Sequence, residues 1–355
     1  MIETPDSPEL ASLCKELAAL ANDQGWPEEA LRRCAETGFF RWFVSKENGG
    51  FGWTSTEIAR GYLALSKANL TVTFILTQRV AALRRIAGCE NEGLKKRLLP
   101  KLLSGEQSAT VGISHLTTSR RHLAKPVLAL VETANGFQAN GTSPWVTGGC
   151  GADWILLGGN VIDESAVADG REVLFLAETD NPSVIVKDGF DLLALSASQT
   201  GAVGVSDLAV QPENIVAGPI EQVLTGNGGG AGGLQTSVLA LGLVAAAIDF
   251  IETEAKQRSD LSATQTSLRS QHEMLCRDLF AATDGSDQIT AAEIRSQANS
   301  LALRATQSAL VVAKGAGYVT GHPVGRWCQE ALFFLVWSCP QQVSQANLDE
   351  FAPCN

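Results

Sequence analysis

The chain has 355 residues and a net charge of -11, because 38 acidic side chains outnumber 27 Lys and Arg. Hydrophobic residues make up 45% of it, and the mean hydropathy of +0.06 is typical of a packed globular protein rather than a disordered one. Nucleic-acid binding is disfavoured, because phosphate contacts need clustered Lys and Arg.

Cysteine usage and the distribution of apolar residues indicate a cytoplasmic protein. The eight cysteines form no CxxC pair and show no zinc-ligand spacing with histidine, which predicts free thiols in a reducing compartment and no metal site. The N-terminal residues lack the basic and apolar runs of a signal peptide. The most apolar stretch, Val238 to Ile248, is too short to span a bilayer, so we expect no membrane insertion.

The first third of the chain predicts helices from residue 7 to about 104. Ser7 and Pro8 mark the first helix start, and Glu57 to about Ile86 predicts two helices broken near Asn69. A further helix over 91–103 is predicted to end at Gly105. The glycine-rich segment 48–52 is interpreted as a turn, because it lacks the Lys-Ser/Thr of a phosphate-binding loop.

The middle of the chain, from Ala109 to Val216, predicts short strands separated by Gly, Asn, Asp and Pro, and hence a small β-barrel or sandwich. Within it, Asn140-Gly141 predicts a hairpin turn between a strand at 137–139 and a second strand at 145–147. A third strand is predicted over 152–157. The remaining predicted strands are 110–113, 127–131, 173–177, 184–186 and 201–210.

The last third predicts a helical bundle. A glycine run at 226–233 is interpreted as a flexible linker, since no basic residue follows it to meet a phosphate. Helices are then predicted over 234–258, 264–283, 289–313 and 324–351. In the third of these, apolar residues recur with a period near 3.6, which suits a four-helix bundle.

Several motifs in these regions together resemble the acyl-CoA dehydrogenase family over nearly the whole chain. The similar segments are the helix ending 98–106, the strand region 136–159, the closing strand 205–214, the turn 314–318 and the segment 323–326. The resemblance implies an α+β fold with an N-terminal helical domain at 1–107, a central small β-barrel at 108–218 and a C-terminal four-helix bundle at 219–355.

The same resemblance implies a flavoprotein oxidoreductase that binds FAD and acts on a small-molecule substrate, possibly an acyl-CoA. It places Trp145 and Thr147 against the flavin ring and lets Ser114 donate a hydrogen bond to it. Arg258 and Gly315 match positions that hold the adenine side of FAD across a subunit interface. Members of the family are usually dimers or tetramers, so the resemblance also implies a homodimer or homotetramer.

The chain departs from the family pattern where the catalytic base is expected. The family's Tyr-Glu-Gly is replaced by Trp337-Ser338-Cys339, and the alternative base position falls near Gly232, so neither place holds a carboxylate. The carboxylates that could stand in are Glu252, Glu254 and Glu330, but a Glu on a helix is more often a surface residue. His115 is a plausible base only if it is suitably positioned.

The cofactor loop and the adenine contacts are also altered. The family's small glycine loop is replaced by a bulky, basic segment. Its Arg120, Arg121 and His122 could meet an anionic group or simply face solvent. Val311 and Lys314 replace a Gln and a Gly on the adenine side, which weighs against FAD binding. Three hypotheses therefore stay open: an acyl-CoA dehydrogenase-like oxidoreductase, a flavin-dependent monooxygenase of the same fold, and a non-catalytic scaffold that has lost FAD.

Overall fold

The N-terminal part is helical in the computed structural model, which describes residues 1–21, 24–117, 126–225 and 233–353. Asn69 interrupts the long apolar stretch as predicted, because its extended backbone ends one helix while its side chain accepts the N–H of Val72 and caps the next. Gly105 ends the last of these helices in the left-handed region, also as predicted. The α-helices described here are α1 (Pro8–Ala19), α2 (Glu28–Glu36), α3 (Ser55–Ala68), α4 (Leu70–Ala87) and α5 (Glu92–Ser104).

In the described residues of the central part, eight strands form one sheet that curls around an apolar core of its own. The strands are β1 (Ala109–Gly112), β2 (Leu128–Thr133), β3 (Gly136–Val146), β4 (Trp154–Ile162), β5 (Ala168–Glu178), β6 (Val184–Val186), β7 (Gly201–Val210) and β8 (Ile215–Glu221). Their order is β6-β7-β3-β2-β4-β5-β8, and β1 pairs in parallel with β4. Along β4, Ile155 and Leu157 face the sheet's own core, whereas Trp154 and Leu156 join the core formed with the helices.

The hairpin turn predicted at Asn140-Gly141 is wrong, because β3 runs through both residues and β2 and β3 are joined before Gly136 instead. Gly141 lies at a bulge where β3 pairs with β7, with φ of +138°. A Cβ atom there would lie 2.4 Å from the carbonyl oxygen of Val127. Glycine is therefore required for a close backbone approach, which gives the same sequence signal as a turn.

A short helix, α6 (Ser114–Thr117), follows β1 in the central part. The C-terminal part is again helical. Its helices are α7 (Leu234–Ala255), α8 (Ser262–Thr283), α9 (Ala291–Ala313), α10 (Pro323–Phe333) and α11 (Gln341–Phe351). The single helix predicted over 324–351 is wrong, because the chain leaves the helix after Phe333 and Pro340 starts a new one. Strand β8 was not predicted as a separate element.

One apolar core joins the N-terminal helices, the C-terminal helices and the outer face of the sheet. Helix α7 lies at its centre: in the part of the chain that is described, it alone is long and apolar enough to cross a membrane, and 78% of that apolar window is buried inside the protein. Its apolar surface is therefore used for packing, with Ser66 of α3 donating to the Leu239 carbonyl at 2.7 Å.

Candidate functional site at the end of the sheet

Three of the predicted cofactor residues come together where β1 and β3 end. The Thr110 hydroxyl donates to the carbonyl oxygen of Thr147 at 2.7 Å. A Cβ on Gly112 would lie 2.9 Å from the Val146 side chain, so the end of β1 lies against the end of β3. Because α6 begins at Ser114 directly after β1, this packing places Ser114 beside the β3 end that carries Trp145 and Thr147.

Trp145 presents an aromatic surface at the rim of this site. The pleat of β3 turns Val146 into the core, where it is 1% exposed, and leaves Trp145 50% exposed. The ring contacts Phe190 edge to face, with ring centroids 4.9 Å apart and an interplanar angle of 62°. The two rings form a hydrophobic edge that a planar ligand could contact.

Thr147 lies beneath this rim in a chain of buried hydroxyl groups. Its Oγ1 is 2.9 Å from Oγ1 of Thr200, which is in turn 2.8 Å from Oγ of Ser198. Either oxygen of each pair can be the donor, so the chain holds the Thr147 oxygen in place and leaves it hydrogen-bonding capacity for a further group. Sequence reasoning missed Thr200, Ser198 and Phe190, because no motif at 190–200 marks them and only the pairing of β3 with β7 brings them here.

His115 is turned away from the rim and toward β4. Its Nε2 lies 2.8 Å from the carbonyl oxygen of Gly158, and since a carbonyl can only accept, Nε2 carries the proton. Burial lowers the pKa of His115, so the ring is neutral at pH 7. Its Nδ1 is a buried acceptor that has no hydrogen-bond partner among the described residues.

Arg258 and Gly315 lie elsewhere, at the C-terminal end of α9. The Arg258 guanidinium donates to the carbonyl oxygen of Val312 at 2.9 Å and lies 3.9 Å from Asp260. Gly315 belongs to the 3-10 turn Lys314–Tyr318 that directly follows α9. The structure thus brings these two residues to one end of the bundle, while Ser114, Trp145 and Thr147 lie on the sheet.

Two of the three carboxylates considered as substitute bases, Glu330 and Glu252, are engaged in other contacts. Glu330 is only 3% exposed, and its Oε1 lies 3.4 Å from Nε of Arg326 on the same helix. Glu252 accepts from Arg269 at 2.8 Å. Neither geometry leaves a carboxylate free to take a proton from a ligand at the sheet.

Aromatic packing holds the segment 337–339, which stands where the family carries its catalytic Glu. Trp337 stacks on Phe333 with ring centroids 5.1 Å apart, and both rings contact Phe74 of α4 edge to face at 4.9 Å. Ser338, the residue in the place of the base, is exposed.

Two further expectations concern charged groups and metals. Arg120, Arg121, His122, Gly232 and most of the glycine run lie outside the described residues. Within the ranges that are described, no group of three His, Cys, Asp or Glu side chains is arranged to hold a metal ion.

The order of helices, curled sheet and helical bundle is the acyl-CoA dehydrogenase fold. Butyryl-CoA dehydrogenase from Megasphaera elsdenii superimposes with a TM-score of 0.78 over 97% of each chain, at 18% identity. Dibenzothiophene monooxygenase from Paenibacillus sp. A11-2 superimposes with a TM-score of 0.72 over 97% of this chain and 96% of that one, at 14% identity. These identities show a shared fold and nothing further.

Sequence comparison agrees with this assignment. Residues 9–106 match the family described as the acyl-CoA dehydrogenase N-terminal domain. A glutaryl-CoA dehydrogenase from Desulfococcus multivorans is 29% identical over 219 residues, which are 56% of this chain and 51% of that protein. Residues 9–106 are thus similar to the N-terminal domain of acyl-CoA dehydrogenases, and the chain's match spans about half the length of this curated relative.

Proposed function

We propose that the protein is an FAD-dependent oxidoreductase of the acyl-CoA dehydrogenase type that acts on an acyl thioester or a related small molecule. The observation that carries the proposal is the meeting of Ser114, Trp145 and Thr147 at one end of the sheet, with the Trp145 ring half exposed. The family's named relatives include a glutaryl-CoA dehydrogenase and a butyryl-CoA dehydrogenase, which supports a thioester substrate.

The residues present fit the ring end of a flavin. Trp145 and Phe190 offer an aromatic edge, and the buried Thr147 hydroxyl oxygen is held in place by a hydrogen bond with Thr200. Ser114 supplies a further hydroxyl at the start of α6. A bound flavin would supply the acceptor for a hydride from the substrate. At the other end, Gly315 leaves room for a close approach, because a Cβ there would meet no atom within 4 Å.

A second candidate function is a flavin-dependent monooxygenase of the same fold. It is favoured by Ser338, which stands where the family carries its Glu base. A hydroxyl without an activating partner does not remove an α proton. The dibenzothiophene monooxygenase that shares the fold shows that the architecture also serves oxygen chemistry.

The first test is the visible spectrum of the purified protein before and after addition of FAD. We expect a flavin band, and we expect Trp145→Ala to weaken FAD binding by about tenfold or more, because it removes an aromatic contact with the ring. Phe351→Ala is the matched control, since Phe351 is 53% exposed and lies on α11. A colourless protein that ignores added FAD would refute both flavin functions and leave the scaffold hypothesis.

The second test separates the two enzymes. Under anaerobic conditions, bleaching of the flavin band by a short acyl-CoA supports dehydrogenation. A flavin that no acyl-CoA reduces, but that consumes oxygen once it is reduced chemically, supports the monooxygenase.

The assembly and the compartment complete the proposal. We propose a cytoplasmic homodimer or homotetramer with domains at 1–107, 108–218 and 219–355. Arg258 and Gly315 lie at the end of the bundle and not beside Trp145, which supports a cofactor held between two copies of the chain. Equilibrium sedimentation with and without FAD tests this arrangement.

A further inference from the structure

A partly buried arginine lies behind the turn that follows Thr147. Arg79 of α4 donates from Nη2 to the carbonyl oxygen of Gly151 at 2.8 Å. Gly151 closes the 3-10 turn Gly149–Gly151, which begins two residues after Thr147 and leads into β4. A side chain of the N-terminal helices therefore holds the segment that continues from the proposed cofactor contact.

Trp26 holds the guanidinium and the same turn together. The Cζ atom of Arg79 lies 5.7 Å from the centroid of the Trp26 ring, within the range of a cation–π contact. A Cβ atom on Gly148 would lie 2.7 Å from this ring, and one on Gly151 would lie 2.3 Å from it. Ile75, one helical turn before Arg79, has Cγ2 at 3.7 Å from the same position on Gly148. One face of α4 thus packs directly against the turn.

The positive charge of Arg79 is only weakly balanced. Its acceptor at Gly151 is a neutral carbonyl. Asp153 acts on the guanidinium through space, but its Oδ2 accepts from the backbone N–H of Ser108 at 2.7 Å. Burial lowers the pKa of Arg79 to about 10, so the group remains protonated at pH 7. The turn next to Thr147 therefore has a permanent cation behind it.

The hydrogen bond alone does not explain why the donor is charged. The Gly151 carbonyl also accepts from Oγ of Ser108 at 3.1 Å, so a neutral donor already bonds this oxygen. Removing a cation from water costs free energy, which a neutral side chain at position 79 would avoid. The charge itself is the feature of Arg79 that the packing leaves unexplained.

We propose that Arg79 raises the reduction potential of a flavin bound at Trp145 and Thr147, without touching it. The inference rests on the proposed function, and it is the same for the dehydrogenase and the monooxygenase. Transfer of a hydride to a flavin adds one negative charge to its ring system. A cation held in a partly dry environment stabilises that charge more strongly than it would in water.

The test measures the midpoint potential of the bound flavin by equilibration with a reference dye, in two variants of Arg79. Arg79→Gln keeps a donor for the Gly151 carbonyl and loses the charge, whereas Arg79→Lys keeps both. We expect Arg79→Gln to lower the equilibrium constant for flavin reduction about tenfold, which is about 30 mV for a two-electron couple. Arg79→Lys should keep the wild-type potential.

Arg85→Gln is the matched control for the loss of one charge. Arg85 lies on the same helix and is partly buried like Arg79, but its Nη1 donates to the Ala81 carbonyl of its own helix at 2.9 Å. We expect its replacement to leave the potential unchanged.

The outcomes separate the inference from the function on which it rests. A wild-type potential in Arg79→Gln overturns the inference and leaves the flavoenzyme standing. Equal losses in Arg79→Gln and Arg79→Lys overturn it as well, because they assign the effect to the geometry of the turn. A protein that takes up no FAD refutes the proposed function, and the inference with it.

A variant that leaves Arg79 in place guards against misfolding of the arginine variants. Asp153→Asn removes the negative charge that offsets the guanidinium, and the amide oxygen can still accept from the Ser108 N–H. We expect this variant to raise the potential of the bound flavin. A potential that stays the same or falls contradicts an electrostatic role for Arg79.

Discussion

The hydroxyl oxygens of Thr147 and Thr200 lie 2.9 Å apart, and this contact ties the end of β3 to the segment before β7. Both residues are buried, and Ser198 extends the contact by a further hydroxyl. The proposed cofactor contact at Thr147 is therefore held in place by a neighbouring residue that is itself buried.

Thr200→Val should lower both the stability of the protein and its affinity for FAD. The change keeps the shape of the side chain but leaves the hydroxyls of Thr147 and Ser198 without their shared partner, which costs about 1–3 kcal/mol of the free energy of unfolding. We also expect weaker FAD binding, because the Thr147 hydroxyl loses the hydrogen bond that holds it in place. Thr306→Val is the control: Thr306 is equally buried, and its hydroxyl donates to the Ala302 carbonyl within α9. Equal FAD affinities in the two variants would contradict the role given to Thr200.

Gly148 is predicted to support the site through its contact with Trp26. It has φ of +66°, and a Cβ there would lie 2.7 Å from the Trp26 ring. Gly148→Ala should lower the free energy of unfolding by about 1–2 kcal/mol for the left-handed backbone and by about 1–3 kcal/mol more for overpacking. Gly25→Ala isolates the first effect, since Gly25 has φ of +74° and open space around it. Urea unfolding of both variants gives the difference, and identical losses would show that Trp26 yields without cost.

The helical parts are largely predictable from the sequence, because residues at each helix boundary themselves determine where the helix ends. Asn69 marks its helix junction through its own side chain, and Gly105 marks a helix end through its own backbone. Gly141 misleads because a positive φ suits both a hairpin turn and a bulge, and only the pairing of β3 with β7 decides between them. The break after Phe333 is hidden in a similar way, since the carbonyls it leaves are bonded by Arg295, about 40 residues earlier.

The site was predictable only in part for the same reason. Ser114, Trp145 and Thr147 lie in motifs that are continuous in sequence, whereas Phe190 and Thr200 come from a segment that meets them through sheet pairing. The domain boundaries and the cofactor roles stay predictions.

Glu330 should prove structural rather than catalytic. It is buried beside Arg326, so Glu330→Ala leaves a mostly buried guanidinium with the Ala21 carbonyl but without its carboxylate, and should lower the free energy of unfolding by about 3 kcal/mol. Glu92→Ala is the matched control, because its ion pair with Lys95 is exposed on the glutamate side and should be worth about 1 kcal/mol or less. In a flavin-loaded protein, Glu330→Gln should leave flavin reduction intact, and loss of reduction with an unchanged fold would identify Glu330 as the base.

Acid should destabilise the protein through two buried histidines. Burial lowers the pKa of both His115 and His272, and His272 donates from Nε2 to the Leu241 carbonyl at 3.1 Å. Below about pH 6.5 the unfolded chain therefore binds more protons than the folded one. The free energy of unfolding then decreases as the pH is lowered, by up to about 1.4 kcal/mol per pH unit for each histidine. Urea unfolding between pH 7 and pH 5 should show this slope in the wild type and a shallower one in His272→Gln. Parallel slopes would contradict a neutral, buried His272.

The end of α9 should form an interface between copies of the chain. Val311, Tyr318 and Val319 are 77%, 88% and 64% exposed there, and they lie next to Arg258 and Gly315. Large apolar side chains gathered at one place are typical of a contact surface. Val311→Glu should therefore shift the protein toward monomer in equilibrium sedimentation and weaken FAD binding together, because the proposed cofactor contacts come from the partner copy. Val167→Glu is the control, since Val167 is 53% exposed on the loop before β5 and should change neither quantity. A Val311→Glu protein that keeps its mass and its FAD affinity would place the interface elsewhere.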